Sequence, residues 1–159
     1  MFRLTKLTDY GIVLLTHFAQ HPGRAQNARE LALDTRLPLP TVGKLLKELT
    51  NQGLLVSQRG IHGGYALARR PEQISVAEVI AALEGPIAIT ECNSTKDPGL
   101  CEHEGCCPVR ANWQVVNGAI RLALEKISLA EMAQPLPARY GLSTPGSFPM
   151  PLTAAPRGV

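Results

Sequence analysis

The chain has 159 residues, about the size of one domain. It is 45% hydrophobic, enough for a buried core, but only 4% aromatic, which suits small packed helices better than a β-sandwich. No apolar run approaches the ~18 residues of a membrane span, and no phosphate loop, nucleophile–base constellation or pair of catalytic carboxylates stands out. The expectation is therefore no enzyme, no small-molecule substrate and no membrane.

The opening stretch "MFRLTKLTDYG" has no signal-peptide core or cleavage site, so a cytoplasmic protein is expected, with its thiols reduced. Net charge is +3 and unevenly spread. Residues 1–75 hold ten Lys/Arg against five Asp/Glu, and residues 76–141 hold five against eight. A basic N-terminal half is compatible with a polyanion partner, and equally with a mildly basic solvated surface.

In chain order, residues 5–20 read as a helix. Leu7, Tyr10, Leu14 and Phe18 recur at helical spacing with Gly11 and Leu15 beside them, and Pro22 and Gly23 end it. Residues 27–35 form a second helix, with Asn27 as cap and Glu30 in the capping-box position. After "RLPLP", a third helix runs from Pro40 to about Gln52. It buries Val42, Leu45, Leu46 and Leu49 and stops at Gly53. Two β-prone runs, 54–58 and 65–68, flank "RGIHGG", a hairpin signal. Helix, helix, turn, helix and hairpin in this order describe a winged helix–turn–helix, in which the helix after the turn enters the DNA major groove.

The polar face of the third helix carries Thr41, Lys44, Lys47 and Asn51, and the wing tip carries Arg59 and His62. Thr41 and Lys44 would approach bases, Lys47 phosphates, and Arg59 a narrow minor groove. Taken singly, each of these residues also suits a plain solvated surface.

Residues 75–85 form another helix, with Ser75 and Glu78 as its capping pair. Residues 109–127 form a long amphipathic helix. Val109, Trp113, Val116, Ile120, Ala123 and Ile127 step by 4, 3, 4, 3 and 4 along it, close to a heptad seam. One such helix leaves an apolar face uncovered, and a second copy of the chain is the expected cover. "SLAEM" (128–132) is a short capped turn, and the six prolines from Gln134 onward mark a disordered or irregular tail.

All four cysteines, Cys92, Cys101, Cys106 and Cys107, lie in "ECNSTKDPGLCEHEGCCPVRANW" (91–113). In a reducing compartment such a group means metal or redox chemistry more often than a disulfide. From the residues alone two readings stand out: a thiol switch, or zinc on Cys101, His103, Cys106 and Cys107. "CEHEGCC" lacks paired C-x-x-C knuckles, which counts against zinc.

"RLTKLTDYG", "RGIHGGYALAR", "ISVAEVIAALEG" and the spaced cysteines before a Trp-bearing helix together resemble the Rrf2 family of winged-helix regulators over about residues 1–135. The likeness is to its IscR-like, NsrR-like and, above all, SUF-system members. The resemblance implies a cluster, [2Fe-2S] or [4Fe-4S], held by three cysteines between the wing-side helix and the dimer helix. Cys101 and Cys107, with five residues between them, match the spacing of the last pair, and Cys92 is the natural first ligand. The eight residues between Cys92 and Cys101 exceed the family's five. Where IscR-like members place a ligating His, this chain has Arg110. NsrR-like members use an Asp from the partner's first helix, and Asp9 occupies that position here; Cys106 and His103 follow as candidates for the fourth ligand. IscR-like members also carry polar and acidic readers where this chain has Pro38, Pro40 and Gly43, so the docking mode transfers and the operator sequence does not.

The expected architecture is thus mainly α with a small β wing. A winged helix–turn–helix occupies 1–85, a cysteine loop 86–108, a dimerisation helix 109–133 and a Pro-rich tail 134–159. The expected function is a homodimeric, cytoplasmic repressor on a near-palindromic double-stranded operator, sensing cluster or redox status and controlling iron–sulfur assembly (SUF-type) genes. A nitric-oxide or thiol-redox repressor is the alternative. From another class comes a cluster-binding protein that does not bind DNA.

Overall fold

The computed structural model describes residues 3–60, 63–93, 101–103 and 105–135. Among these residues six α-helices and one two-stranded antiparallel hairpin follow in the order α1 (Lys6–Gln20), α2 (Ala28–Thr35), α3 (Leu39–Asn51), β1 (Leu55–Gln58), β2 (Gly64–Leu67), α4 (Val76–Glu84), α5 (Arg110–Glu125) and α6 (Leu129–Met132). Each lies within two residues of its expected bounds, the ordinary fraying of element ends.

The local causes are those of the sequence. Asn27 and Glu30 close a reciprocal capping box at α2, and Ser128 and Glu131 close another at α6. Thr5 caps α1 by accepting the Thr8 N–H, and Ser75 caps α4 by accepting the Glu78 N–H. The Glu78 carboxylate does not return to Ser75, because the Arg69 guanidinium takes it. The turn between α2 and α3 is made by Arg36 in the left-handed region (φ 56°), and Gly53 (φ 73°) releases α3 into β1.

One face of each helix of the helix–turn–helix is buried. Leu14, Leu15 and Phe18 of α1, Leu31 of α2 and all four expected α3 residues, Val42, Leu45, Leu46 and Leu49, form a single core. Leu54, Leu55, Ile74, Val79 and Leu129 complete it. Each such side chain contributes about 1.5–3 kcal/mol by leaving water. The hairpin pairs Leu55 with Leu67 and Gln58 with Gly64. A second attachment holds the wing from behind: Gln26 and Tyr65 exchange backbone hydrogen bonds of 3.0 and 2.9 Å.

The end of the described chain returns to the same core. Leu129 N–H donates to the Ile74 carbonyl at 2.8 Å, Val76 N–H to the Ile127 carbonyl at 2.9 Å, and Leu129 is almost wholly buried. The Gln20 side chain then donates to the Ala133 carbonyl at 3.1 Å. By contrast α5 has no buried residue. Trp113 and Val116 of the expected seam, with Val109 and Ile127 just beyond the helix ends, are large apolar side chains left exposed, and Ile120 is half-buried. The expected Pro-rich tail lies almost wholly outside the described residues.

Candidate nucleic-acid interface and cysteine loop

Burial of Val42, Leu45, Leu46 and Leu49 fixes which side of α3 faces outward. Lys44, Lys47 and Asn51 are exposed on that side, and Thr41 is half-buried at its edge. Arg59 is exposed at the end of β1, while His62 lies outside the described residues. Gly60 and Gly63 bracket the wing tip, joined by a 2.9 Å backbone hydrogen bond.

The distribution of ion pairs separates the cations. Arg24, Arg69, Arg70 and Arg121 each have a carboxylate partner. Among the described residues Lys44, Lys47 and Arg59 have none, so their charge is uncompensated and available to a polyanion. Arg29 and Arg36 of the preceding helix and turn are likewise exposed and unpaired among the described residues. The sequence reading passed over them, although the first helix of a helix–turn–helix crosses the phosphate backbone.

The cysteine loop bridges α4 and α5. Asn117 of α5 donates to the Ile87 carbonyl and accepts the Ile89 N–H, both at 3.1 Å, pinning the chain that leads into the loop. Cys92 follows in a single 3-10 turn, half-buried, with its Sγ 3.2 Å from the Thr90 hydroxyl, which in turn accepts from the Asn93 amide at 2.8 Å. Cys101 and Cys107 are half-buried and Cys106 exposed. Cys106 N–H donates to the His103 carbonyl at 3.1 Å, forming a tight turn before α5. The Cys107 carbonyl accepts the Arg110 N–H at 3.4 Å, so Cys107 stands two residues before the N-cap of α5.

All four thiols are free of disulfides. Among the described residues no three His, Cys, Asp or Glu side chains are already drawn together as a metal site. The segment 94–100 that joins Cys92 to Cys101 lies outside the described residues. The donor chemistry fits an iron–sulfur group: thiols on a Gly-containing loop beside a helix N-terminus, none tied up in a disulfide. Asp9 is exposed on the first turn of α1 and makes no side-chain hydrogen bond or ion pair among the described residues.

A helix–turn–helix with an attached wing and uncompensated cations on both defines a DNA-binding regulator. The chain belongs to the Rrf2 family: the family model, described as an iron-dependent transcriptional regulator, matches residues 4–135. Over 131 residues it is 29% identical to protein rrf2 of Nitratidesulfovibrio vulgaris, covering 82% of this chain and 86% of that one. The solved structure of CymR, the global cysteine regulator of B. subtilis, matches with a TM-score of 0.65 at 26% identity, over 84% of this chain and 97% of that one. T. potens IscR matches with a TM-score of 0.63 at 26% identity, over 87% and 96%. The protein is accordingly a winged-helix transcriptional regulator and not an enzyme. Among the described residues no helix is long and apolar enough to cross a membrane.

Proposed function

We propose that the protein is a homodimeric repressor that binds a near-palindromic operator and responds to iron–sulfur cluster status, with genes of SUF-type cluster assembly as its targets. The observation that carries this reading is the position of the free thiols. They lie between α4, which packs on the winged domain, and α5, whose apolar seam is uncovered. Family membership speaks against a cluster carrier that never touches DNA.

Cys92, Cys101 and Cys107 would hold the cluster, and the partner subunit's Asp9 is the first candidate for the fourth position. When bound, the cluster supplies a thiolate-held centre that oxygen, nitric oxide or iron shortage can remove. The chain's own residues supply the coupling. Asn117 ties the approach to Cys92 onto α5, and Cys107 sits at the head of that helix. Any change in the loop therefore bears on the orientation of α5, and through a dimer on the spacing of the two α3 helices. One turn of duplex fixes that spacing at about 34 Å, so a small change matters.

Lys44 and Thr41 on the outer face of α3 meet the major groove, Lys47 the phosphates, and Arg59 and His62 the flanking minor groove. Exposed Cys106 beside Cys107 favours a second reading, a thiol switch in which oxidised Cys107 is resolved by a neighbouring thiol.

Anaerobic purification with visible absorption and iron and sulfide counts tests the main reading. A brown protein with acid-labile sulfide, lost in Cys107→Ala, supports it. A colourless protein with zinc or no metal overturns the cluster assignment and leaves DNA binding standing. In the same preparation Arg59→Ala should weaken operator binding and leave iron and sulfide content unchanged. Unchanged binding at physiological salt would remove the wing from the interface.

A further inference from the structure

The first two turns of α3 present an unusual set of groups for a helix that reads bases. Outward from the buried stripe they offer Leu39, 43% exposed, with Pro40, Gly43 and Lys44 exposed and Thr41 at the edge. No carboxylate or amide side chain stands among them. The first carboxylate is Glu48, half-buried and already accepting the Gln52 amide at 3.0 Å. Base edges in the major groove are distinguished by hydrogen-bond groups and by one apolar group, the thymine methyl. Without Asn or Gln the leading turns cannot grip adenine by two bonds, and without Asp or Glu they cannot accept from cytosine. Lys44 can meet guanine or a phosphate. Leu39 and Pro40 can do neither.

We propose that the first turn of α3 reads thymine methyl groups in the major groove, with Leu39 and Pro40 as the contact surface and Gly43 as the clearance that lets the helix seat. The inference rests on the DNA-binding reading above. Three observations carry it. Leu39 and Pro40 lie away from the core stripe of α3 and both are exposed. Lys44 and Lys47 lie on the same outward face, unpaired among the described residues, so the apolar patch sits inside a basic surface that fits a duplex and not a protein core. A Cβ built on Gly43 would meet nothing within 4 Å, so the fold does not require glycine there. Glycine weakens a helix relative to alanine, and its presence on this face is explained by what approaches from outside.

The test begins with selection of sites by the full-length protein from a random duplex library. Each thymine of the selected site is then replaced by uracil, which removes the methyl and keeps every hydrogen-bonding group. In parallel, adenines are replaced by 7-deazaadenine. The expected result is binding about 3- to 5-fold weaker for each contacted methyl lost, at one or more thymines per half-site, with little response to 7-deazaadenine. Leu39→Ala and Pro40→Ala, each shown folded by circular dichroism, should no longer distinguish thymine from uracil. Equal binding of the thymine and uracil sites by the unaltered protein overturns the inference and leaves DNA binding intact. Discrimination that persists in both variants assigns the methyl contact elsewhere and overturns it too. Failure of the library to yield any site overturns the DNA reading and this inference together.

Discussion

His17 draws its polar neighbours from three parts of the chain. Gln26 donates its amide to the imidazole Nε2 at 3.1 Å, the Asp34 carboxylate of α2 lies 3.5 Å away, and His21 stacks one turn further along α1 at 4.5 Å between ring centroids. Gln26 is fully buried and its Oε1 has no partner among the described residues. Burial first, then the charges of His21 and Arg24, hold the His17 pKa below its ordinary 6.5, against Asp34 and the Gln26 hydrogen bond, which pull it up. A depressed pKa means that the unfolded chain binds the proton more readily. This contribution is therefore fully present above pH 6.5 and declines as pH falls through the folded-state value. Urea unfolding between about pH 7.5 and 5 should show the midpoint falling, and falling less in His17→Gln. Identical pH slopes in the two proteins would clear His17 of the effect. Glu84 also loses stability in acid, but later. Burial raises its pKa, yet hydrogen bonds from Thr8 and Thr5 outweigh burial and hold it below 4.5, so its contribution survives until the pH falls below that value.

Two glycines show how packing between elements decides the effect of one substitution. At Gly64 a Cβ would lie 2.7 Å from both the carbonyl carbon and oxygen of Gln26. The obstacle is backbone, fixed by the Gln26–Tyr65 pairing, so it cannot yield without moving the wing. Gly64→Ala should therefore cost about 1–3 kcal/mol in urea unfolding and weaken operator binding with it. At Gly11 a Cβ would collide with Leu83 Cδ1, the far end of a flexible side chain on α4. There the gain in helix propensity, up to about 1 kcal/mol, offsets a rotamer shift, and Gly11→Ala should change stability by less than about 1 kcal/mol. A Gly64→Ala protein as stable as wild type would show that the wing is not clamped from behind.

At the scale of the molecule, the described chain leaves and rejoins its core. α5 packs on α4 with no residue fully buried, while Leu129 brings the chain back between α1 and the start of α4. The helix leaves Trp113 39% and Val116 42% exposed, and Ile127 just beyond it 40%, while Ile120 of the same seam is half-buried. In the proposed homodimer a second copy would cover these residues and, in the same step, match the two-fold symmetry of a near-palindromic operator. Val116→Glu, placed where the single chain has room for it, should roughly halve the molar mass seen by light scattering and keep the helical circular dichroism. It should also weaken binding to a two-half-site operator far more than to a half-site. A monomeric wild-type protein, or a Val116→Glu variant that stays dimeric, would overturn this arrangement.

Among the described residues, periodicity, caps and turn residues in the sequence determined every α-helix and the hairpin to within two residues, though not the single 3-10 turns at Pro71–Gln73 and Glu91–Asn93. They did so because each element is amphipathic and its ends are set by neighbours a few positions away. Which face of α3 turns outward was equally legible, since Val42, Leu45, Leu46 and Leu49 leave only one other side. The proposed ligand set of Cys92, Cys101 and Cys107 came from the likeness of the loop to the family, and residues 94–100 between the first two lie outside the described residues. Only the tertiary structure decided that Glu78 pairs with Arg69 and not with its own helix cap, and that Gln26 joins His17 and Asp34 while its backbone holds the wing. It alone decided which cations are neutralised and which stand free, and that α6 seals the winged core. Those outcomes depend on groups far apart in the chain meeting through the fold, and no local pattern of residues encodes such a meeting.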